Sequence, residues 1–359
     1  MEPLSSLAVA VLGSVVGFAS GFTVRRARLC SFGAVEDAWI GGDTRRLRIF
    51  GLALGVALLG TQLLVVAGLL SPQLSTYVPT ALPWFSIALG STLFGIGMAL
   101  VGTCSFGSLV RLGSGDLRSL IVMIVFGAVA YATLRGMLAA FRIDVVESVA
   151  VGVPGAVQGD LPSVLQWLGG HDWRLALALA GSAVLFAAVA ADGRLRRSPR
   201  LLTAGIVLGI GVVLGWWVTG VAIDEFEIAP KAQSLTFVSP VGRALYAVLT
   251  TPAGLADFGV GSIFGVILGS FVSAVYDGEF RWEAFDDPYE MRRHLTGAVL
   301  MGFGGILAGG CTIGQGISAG SMMALSWPLA IGGFMIGARI GIAFLMEGSI
   351  GHMFRRHFH

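Results

Sequence analysis

The chain has 359 residues, of which 55% are hydrophobic and 12% charged, with a formal net charge of +2 and a mean hydropathy of +0.83. Soluble domains carry about 25% charged residues, so this composition excludes an ordinary soluble domain and predicts an integral membrane protein. A nearly balanced charge gives no indication of nucleic-acid binding, and we expect no nucleic-acid partner.

Nine apolar runs are long enough to cross a bilayer, which takes about 20 residues. They lie at approximately 4–23, 47–70, 84–103, 118–140, 173–191, 201–219, 257–276, 294–310 and 328–347. The first run lacks a basic segment before it and an obvious cleavage site after it, so we interpret it as a span rather than a removed signal peptide. The sequence therefore predicts an all-α polytopic membrane protein, a single membrane domain over 1–359 with about nine transmembrane helices.

Charge separates the segments between these runs into two groups. The basic segments are 24–48, 192–200, 277–293 and the tail 349–359, and the acidic ones are 141–172 and 220–256. With nine spans, all four basic segments fall on one side of the membrane. The positive-inside rule then predicts an N-terminus outside and a cytoplasmic C-terminal tail.

One segment of the chain is repeated. Residues 93–107 (LFGIGMALVGTCSFG) match residues 300–314 (LMGFGGILAGGCTIG) at a constant offset of 207. The match predicts two related halves, 1–192 and 201–348. In the topology above the two copies run in opposite directions, which is the arrangement of an inverted repeat.

Short semi-polar segments follow the cysteines of both copies. Segments 105–114 and 312–325 are rich in glycine and too short to span, so we predict re-entrant half-helices that are buried in protein or line a cavity. A third copy of the motif, CSFGA, begins at Cys30, and the polar segment 220–250 is a candidate for its counterpart in the second half.

Enzyme chemistry has few residues to use in this sequence. Three widely separated cysteines, Cys30, Cys104 and Cys311, do not form a disulfide framework or a metal-binding pattern. The spans contain almost no carboxylates, and Arg135 and Arg339 are their notable charges, to which we assign a structural role at helix ends. We therefore expect a protein that is not an enzyme and has neither cofactor nor metal.

The repeated cysteines stand where an anion could be bound. Each predicted half-helix begins at Cys104–Ser105 or at Cys311–Thr312. A helix N-terminus offers unpaired N–H groups and the positive end of the helix dipole. Gly314, like its repeat equivalent, would let an anion approach the backbone. Buried cysteine is often only a small apolar filler, but two in repeat-equivalent positions favour a functional role.

Several motifs resemble the YeeE/YedE family of bacterial membrane proteins. They are RLCSFGAVEDAW at 28–39, GTCSFGSLVRLGSGDLR at 102–118, GWWVTG with DEFE at 215–227, SLTFVSPVGR at 234–243, FGVGSIFGVILGSF at 258–271 and GGCTIGQGISAGS at 309–321. The resemblance implies an hourglass-like fold of inverted repeats in the inner membrane. It also implies sulfur uptake, with thiosulfate as substrate, through cysteines that pass the anion inward by S–H to sulfur contacts.

The resemblance also implies a set of site residues and partners. The central pair would be Cys311 and Cys104, and Cys30 would stand nearest the cytoplasm. Other candidates come from the same two motifs, namely Ser105, Gly310, Thr312, Gly314 and Gln315. Expected partners are thiosulfate or a related small anion, membrane lipid, and a small cytosolic sulfur-carrier protein. The alternatives are transport of another sulfur or selenium species, a membrane thiol sulfurtransferase or relay component, and a membrane anchor for such a relay.

Overall fold

A computed structural model describes residues 5–152, 158–222, 232–250 and 257–347. The helices are α1 Ser6–Ala27, α2 Ser31–Ile40, α3 Arg45–Val66, α4 Trp84–Val101, α5 Ser105–Gly113, α6 Leu117–Arg135, α7 Leu138–Phe141, α8 Leu161–Gly169, α9 Arg174–Ala190, α10 Gly193–Arg196, α11 Pro199–Val221, α12 Ser239–Leu249, α13 Phe258–Tyr276, α14 Pro288–Leu307 and α15 Ser326–Glu347. The acidic run 224–227 and the tail 349–359 lie outside the described residues.

Short elements complete the described chain. A 3₁₀ turn covers Pro72–Leu74, and π-helical turns cover Arg142–Val146 and Gly314–Ala319. We call the last of these the π segment. Strands β1 Ala81–Leu82 and β2 Val151–Gly152 form one antiparallel pair.

The all-α membrane class is confirmed. Each of the nine predicted spans coincides with one long helix: α1, α3, α4, α6, α9, α11, α13, α14 or α15. Among the described residues, seven stretches are long and apolar enough to cross a membrane, with α2 continuing α1 and α5 continuing α4. The two helices below this threshold are α9, which has 17 residues, and α14, whose first two turns carry Glu290, Arg292 and Arg293.

Helix packing in the first half is matched in the second. When α1, α3, α4 and α6 are matched in order with α11, α13, α14 and α15, the contacts correspond. The α1–α13 contact then corresponds to α11–α3, and the α4–α15 contact corresponds to α14–α6. At the centre, α1 contacts α11 and α4 contacts α14. The short elements follow the same scheme, because α5 contacts α13 and α6 whereas the π segment contacts α3 and α15.

Two glycines of α4 and their repeat equivalents in α14 contact each other crosswise. A Cβ atom on Gly97 would lie 2.6 Å from the carbonyl oxygen of Gly297, and one on Gly90 would lie 2.6 Å from that of Gly304. Residue 97 is the repeat equivalent of 304, and residue 90 is that of 297. The two helices therefore run antiparallel, and they meet as a two-fold axis between them would require. Small residues allow this close approach where lipid supplies no hydrophobic drive for association.

The charged loops gather at the two ends of the helices as their composition predicts. At the basic end, Arg25 in the last turn of α1 pairs with Asp277 after α13 at 3.2 Å, and Arg48 pairs with Asp192 at 3.7 Å. At the opposite end β1 pairs with β2, and Asp160 forms an isolated bridge with Ala324. Loops that the topology assigns to one side are thus in contact with one another.

The structure differs from the sequence prediction in three local features. The predicted half-helix 312–325 is a turn followed by the six-residue π segment, which ends in further turns. Helix α6 ends at Arg135, before Gly136, rather than continuing to residue 140. Helix α14 begins six residues earlier than predicted, because the Asp287 side chain accepts a hydrogen bond from the Tyr289 N–H and Pro288 occupies the first turn.

Candidate functional site

Cys104 and Cys311 occupy the same local geometry in the two halves. The helix before each cysteine ends near a glycine in the left-handed region, Gly102 with φ 75° and Gly309 with φ 73°. The Cys104 Sγ accepts a hydrogen bond from the Gly107 N–H at 3.3 Å, and the Cys311 Sγ accepts one from the Gly314 N–H at 3.4 Å. Both thiols are buried. The sequence repeat is therefore also a repeat of hydrogen bonds.

Cys30 joins the first of these cysteines. It precedes α2 as its N-cap, and its thiol interacts with the Cys104 thiol and lies 3.4 Å from the Thr103 Oγ1. A Cβ atom on Gly107 would lie 3.4 Å from the Cys30 Sγ. The N-termini of α2 and α5 therefore present two thiols to each other, and we call Cys30 and Cys104 the thiol pair.

A pair of hydroxyls connects the thiol pair to the segment that follows Cys311. The Ser31 Oγ lies 2.8 Å from the Thr312 Oγ1, and Ser31 also interacts with the Cys104 thiol. The contact joins residues 281 positions apart in the chain. All three cysteine segments thus converge on one interior junction.

Ser105 presents an unused hydroxyl at this junction. Its side chain is fully buried in the first turn of α5, and its Oγ has no hydrogen-bond partner among the described residues. The same is true of Ser108 one turn later. Buried hydroxyls are nearly always bonded in native proteins, so the orphaned Ser105 group indicates a place where a passing polar ligand would gain a bond.

A vestibule of about 570 Å³ opens at the end opposite the basic loops. Among the described residues its lining charges are Arg135, Arg142, Arg243 and Glu147. Arg142 pairs with Glu147, and Arg243 pairs with Asp257 at 2.7 Å. Arg135 leaves an excess positive charge in this set, which favours small anions at the opening. Gly309 and Gly310, directly before Cys311, form part of its lining.

The floor of the vestibule is polar and closely packed. Tyr77 is 5% exposed, and its hydroxyl lies near that of Thr236, because a Cβ atom on Gly314 would be 2.8 Å from the first and 2.5 Å from the second. The Gln315 side chain also lines the vestibule, but its amide is engaged in the fold: Nε2 donates to the Ala308 carbonyl at 2.7 Å. Gln315 therefore braces the segment around Cys311.

A second basin, of about 1080 Å³, lies among the basic loops. One of its lining groups, Arg46, reaches the first turn of α2: a Cβ atom on Gly33 would lie 3.2 Å from the Arg46 Nη1. Another is Asp43, whose carboxyl receives hydrogen bonds from Arg45 that lower its pKa to about 2. The basin thus approaches the Cys30 side of the thiol pair, while the vestibule approaches the Cys311 side.

The structure brings together most of the residues that the sequence singled out. Both members of the thiol pair lie beside Gly107, Ser31 connects Thr312 to this place, and Gly310, Gly314 and Gln315 lie around Cys311. Arg135 is exposed at the end of α6 and lines the vestibule, whereas the Arg339 guanidinium lies over the Trp39 ring at 6.0 Å. No group of three or more potential metal ligands occurs in the part of the chain that the structure describes.

Sequence reasoning missed the hydroxyls that face the thiols. Ser31 and Thr103 adjoin cysteines in the CSFG and GTCSFG motifs, and that adjacency is a signal that could have identified them. Thr236 belongs to the SLTFVSP motif, in a segment whose sequence indicates only that it is polar. Tyr77 lies in a loop with no repeat and no motif, so only its three-dimensional contacts identify it.

Comparison with known proteins connects this architecture to a family. The model of the sulphur transport family matches residues 26–340. The chain is 28% identical over 330 residues to the thiosulfate transporter TsuA of Escherichia coli K12, covering 87% of each chain. It is 28% identical over 335 residues to TsuA of Spirochaeta thermophila, covering 90% of this chain and 96% of that one.

A shorter match reaches a third protein. The chain is 28% identical over 107 residues to the probable transporter YedE of Escherichia coli K12, covering 30% of this chain and 25% of that one. The family match spans the cysteine motifs and both halves of the fold. The chain therefore belongs to the sulphur transport family.

Proposed function

We propose that this protein imports thiosulfate across the bacterial inner membrane, from the vestibule past Cys311 and the thiol pair to the basin. The observation that carries the proposal is the convergence of all three cysteines on one junction between two cavities. The names of two relatives that match over most of their length support the choice of thiosulfate.

The junction suits the chemistry of this anion. Thiosulfate carries a soft terminal sulfur as well as sulfonate oxygens, and a neutral S–H group donates a weak hydrogen bond to such a sulfur without trapping the ion as a fixed cation would. The arginines of the vestibule attract the anion. Within the junction the Cys311 thiol, the thiol pair and the unpartnered Ser105 hydroxyl offer successive contacts.

The two halves, 1–192 and 201–348, act in this proposal as an inverted repeat. The N-terminus then lies outside, and the tail 349–359 lies in the cytoplasm. The matched helix packing and the crosswise glycine contacts of α4 and α14 support this arrangement. Protease accessibility of a tag at each terminus of the reconstituted protein tests it, and it is wrong if both tags are cleaved from the same side.

Uptake of sulfur-labelled thiosulfate into proteoliposomes tests the function directly. We expect uptake by the wild type, its loss in Cys311→Ala, and its retention in Ser182→Ala. Ser182 is buried like Cys311, but it bonds to the Gly55 carbonyl on α3, away from the junction. Normal uptake by Cys311→Ala would remove the thiol from the mechanism. Uptake of a selenium or other sulfur species in place of thiosulfate would correct the substrate.

The proximity of two thiols, which both lie beside Gly107, favours one further candidate, a membrane sulfurtransferase or relay component. In that reaction a thiolate of the thiol pair attacks the terminal sulfur of thiosulfate, the bond to the sulfonate sulfur breaks, and sulfite leaves with the electron pair. A small cytosolic sulfur-carrier protein at the basin would then accept the persulfide sulfur. A reductant-sensitive mass gain of one sulfur on Cys30 or Cys104 after turnover distinguishes this reaction from transport of the intact anion.

A further inference from the structure

The two halves differ in what faces the repeated thiol. A Cβ atom on Gly107, which follows Cys104, would lie 2.1 Å from the Thr103 Oγ1 and 3.4 Å from the Cys30 Sγ. A Cβ atom on Gly314, which follows Cys311, would lie 2.5 Å from the Thr236 Oγ1 and 2.8 Å from the Tyr77 hydroxyl. Cys104 therefore has one hydroxyl and a second thiol beside it, whereas Cys311 has two hydroxyls.

Tyr77 is held rigidly in this position. Its ring packs edge-on against Trp216 of α11, with centroids 6.2 Å apart and an interplanar angle of 82°. Its backbone N–H donates to the Ser75 Oγ at 3.2 Å, and Ser75 forms an isolated bridge with Ala232. The chain before β1 thus carries the phenol onto the vestibule floor, and little conformational entropy remains to be lost when a ligand binds there.

The Tyr77 and Thr236 hydroxyls, which we call the hydroxyl pair, can donate hydrogen bonds to a third group. Each residue has one O–H group, and both hydroxyls lie beside Gly314. Both residues line the vestibule, so these O–H groups can reach an anion there. The Gly310 backbone lies at the same place, because a Cβ atom on it would be 3.4 Å from the Tyr77 hydroxyl.

We propose that Tyr77 and Thr236 are specificity-determining residues of the outer gate, which is the passage from the vestibule to Cys311. They bind the sulfonate oxygens of an entering anion while its terminal sulfur meets the Cys311 thiol. This inference rests on the proposed function. Hydroxyl donors match hard oxygens, and a thiol matches a soft sulfur, so this gate recognises both ends of thiosulfate. Sulfate satisfies only the hydroxyls, and hydrosulfide satisfies only the thiol.

The placement of hydroxyls and thiols at this gate also orients the anion. Its oxygens stay on the vestibule side with the hydroxyl pair, and its sulfur points toward the junction, where the next contacts are the thiol pair. At the thiol pair the neighbouring hydroxyls are those of Thr103 and Ser105. An anion that passes Cys311 therefore exchanges its contacts with Tyr77 and Thr236 for these groups and the two thiols.

The test uses full-length protein in proteoliposomes and compares Tyr77→Phe and Thr236→Val with a matched control, Tyr246→Phe. Tyr246 stacks on Tyr131 at 4.8 Å and does not line the vestibule. We expect each gate variant to raise the KM for thiosulfate about tenfold, since a hydrogen bond to a charged group is lost, with Vmax within about twofold of wild type. Inhibition of uptake by sulfate should weaken in the same variants and stay unchanged in the control.

The possible results separate this inference from the function on which it rests. If the wild type shows no thiosulfate uptake, or uptake does not depend on Cys311, the proposed function fails. If uptake depends on Cys311 but both gate variants keep the wild-type KM and sulfate inhibition, only the inference is wrong. Because valine has nearly the same shape as threonine, Thr236→Val still tests the inference if Tyr77→Phe inserts poorly into the membrane. A fall in Vmax alone would assign the pair a purely structural role and overturn the inference.

Discussion

Two glycines on α15 allow a sharp test of the helix packing that carries the site. A Cβ atom on Gly337 would lie 2.0 Å from the carbonyl oxygen of Thr92 on α4, whereas one on Gly332 would meet nothing within 4 Å. The contact at Gly337 would have to open to about 3.4 Å, and backbone, unlike a flexible side chain, cannot move aside locally. We therefore expect Gly337→Ala to cost about 1–3 kcal/mol as an overpacked site. Gly332→Ala should be neutral or gain about 0.4–1 kcal/mol from the unfolded chain.

The measurement is the unfolding midpoint of each purified variant in mixed detergent micelles, titrated with a denaturing detergent. The Gly337→Ala variant should be less stable than the Gly332→Ala variant by about 1–4 kcal/mol. Since both substitutions add one methyl group to the same helix, the comparison cancels helix propensity and insertion effects. A Gly337→Ala variant as stable as Gly332→Ala would refute the close approach of α4 and α15.

Three further outcomes follow from the structure. Asp160, with 0% side-chain exposure, and Arg174, with 11%, form a buried ion pair at 2.6 Å. Asp160→Asn or Arg174→Gln breaks this pair, and each should lower the unfolding free energy by about 3–5 kcal/mol. Additive losses in the double variant would contradict the pairing. Gly314→Ala places a Cβ atom 2.5 Å from the Thr236 Oγ1, against 3.3 Å for the closest contact of Gly310→Ala, so uptake assays should find the first inactive and the second largely active. In maleimide labelling of folded protein, half-buried Cys30 should react first, and the other two thiols should react only after unfolding; equal rates would contradict their burial.

Helix positions were predictable because a bilayer imposes its thickness on the sequence. All nine predicted spans fall on helices, and errors occur where a local signal overrides hydropathy. At Asp287 and Pro288 a cap begins α14 within charged sequence. The π segment was not predictable from the sequence for a different reason. Its backbone is fixed by long-range bonds, such as that from the Ser318 Oγ to the Leu235 carbonyl at 2.8 Å, which leave no periodic trace.

The sequence repeat made only part of the site predictable. Cys104 and Cys311 were paired by an offset of 207, and the structure gives them the same backbone hydrogen bond. Contact between Cys30 and Cys104 depends on how α2 and α5 pack, and no spacing encodes that. Tyr77 is the extreme case, since its burial against Trp216 joins positions 139 residues apart. Roles for all of these side chains stay predictions until transport is measured.

Among the described residues, helix α9 has no counterpart in the second half, and it packs mainly on α3. Each half otherwise has four long described helices, an even number, so a chain crossing the membrane with them would leave on the side where it entered. Two such halves joined directly would have the same orientation. A single added crossing changes the parity and turns the second half over. In the proposed inverted repeat, the peripheral helix α9 is thus the element that makes the halves antiparallel, without a side chain at the junction.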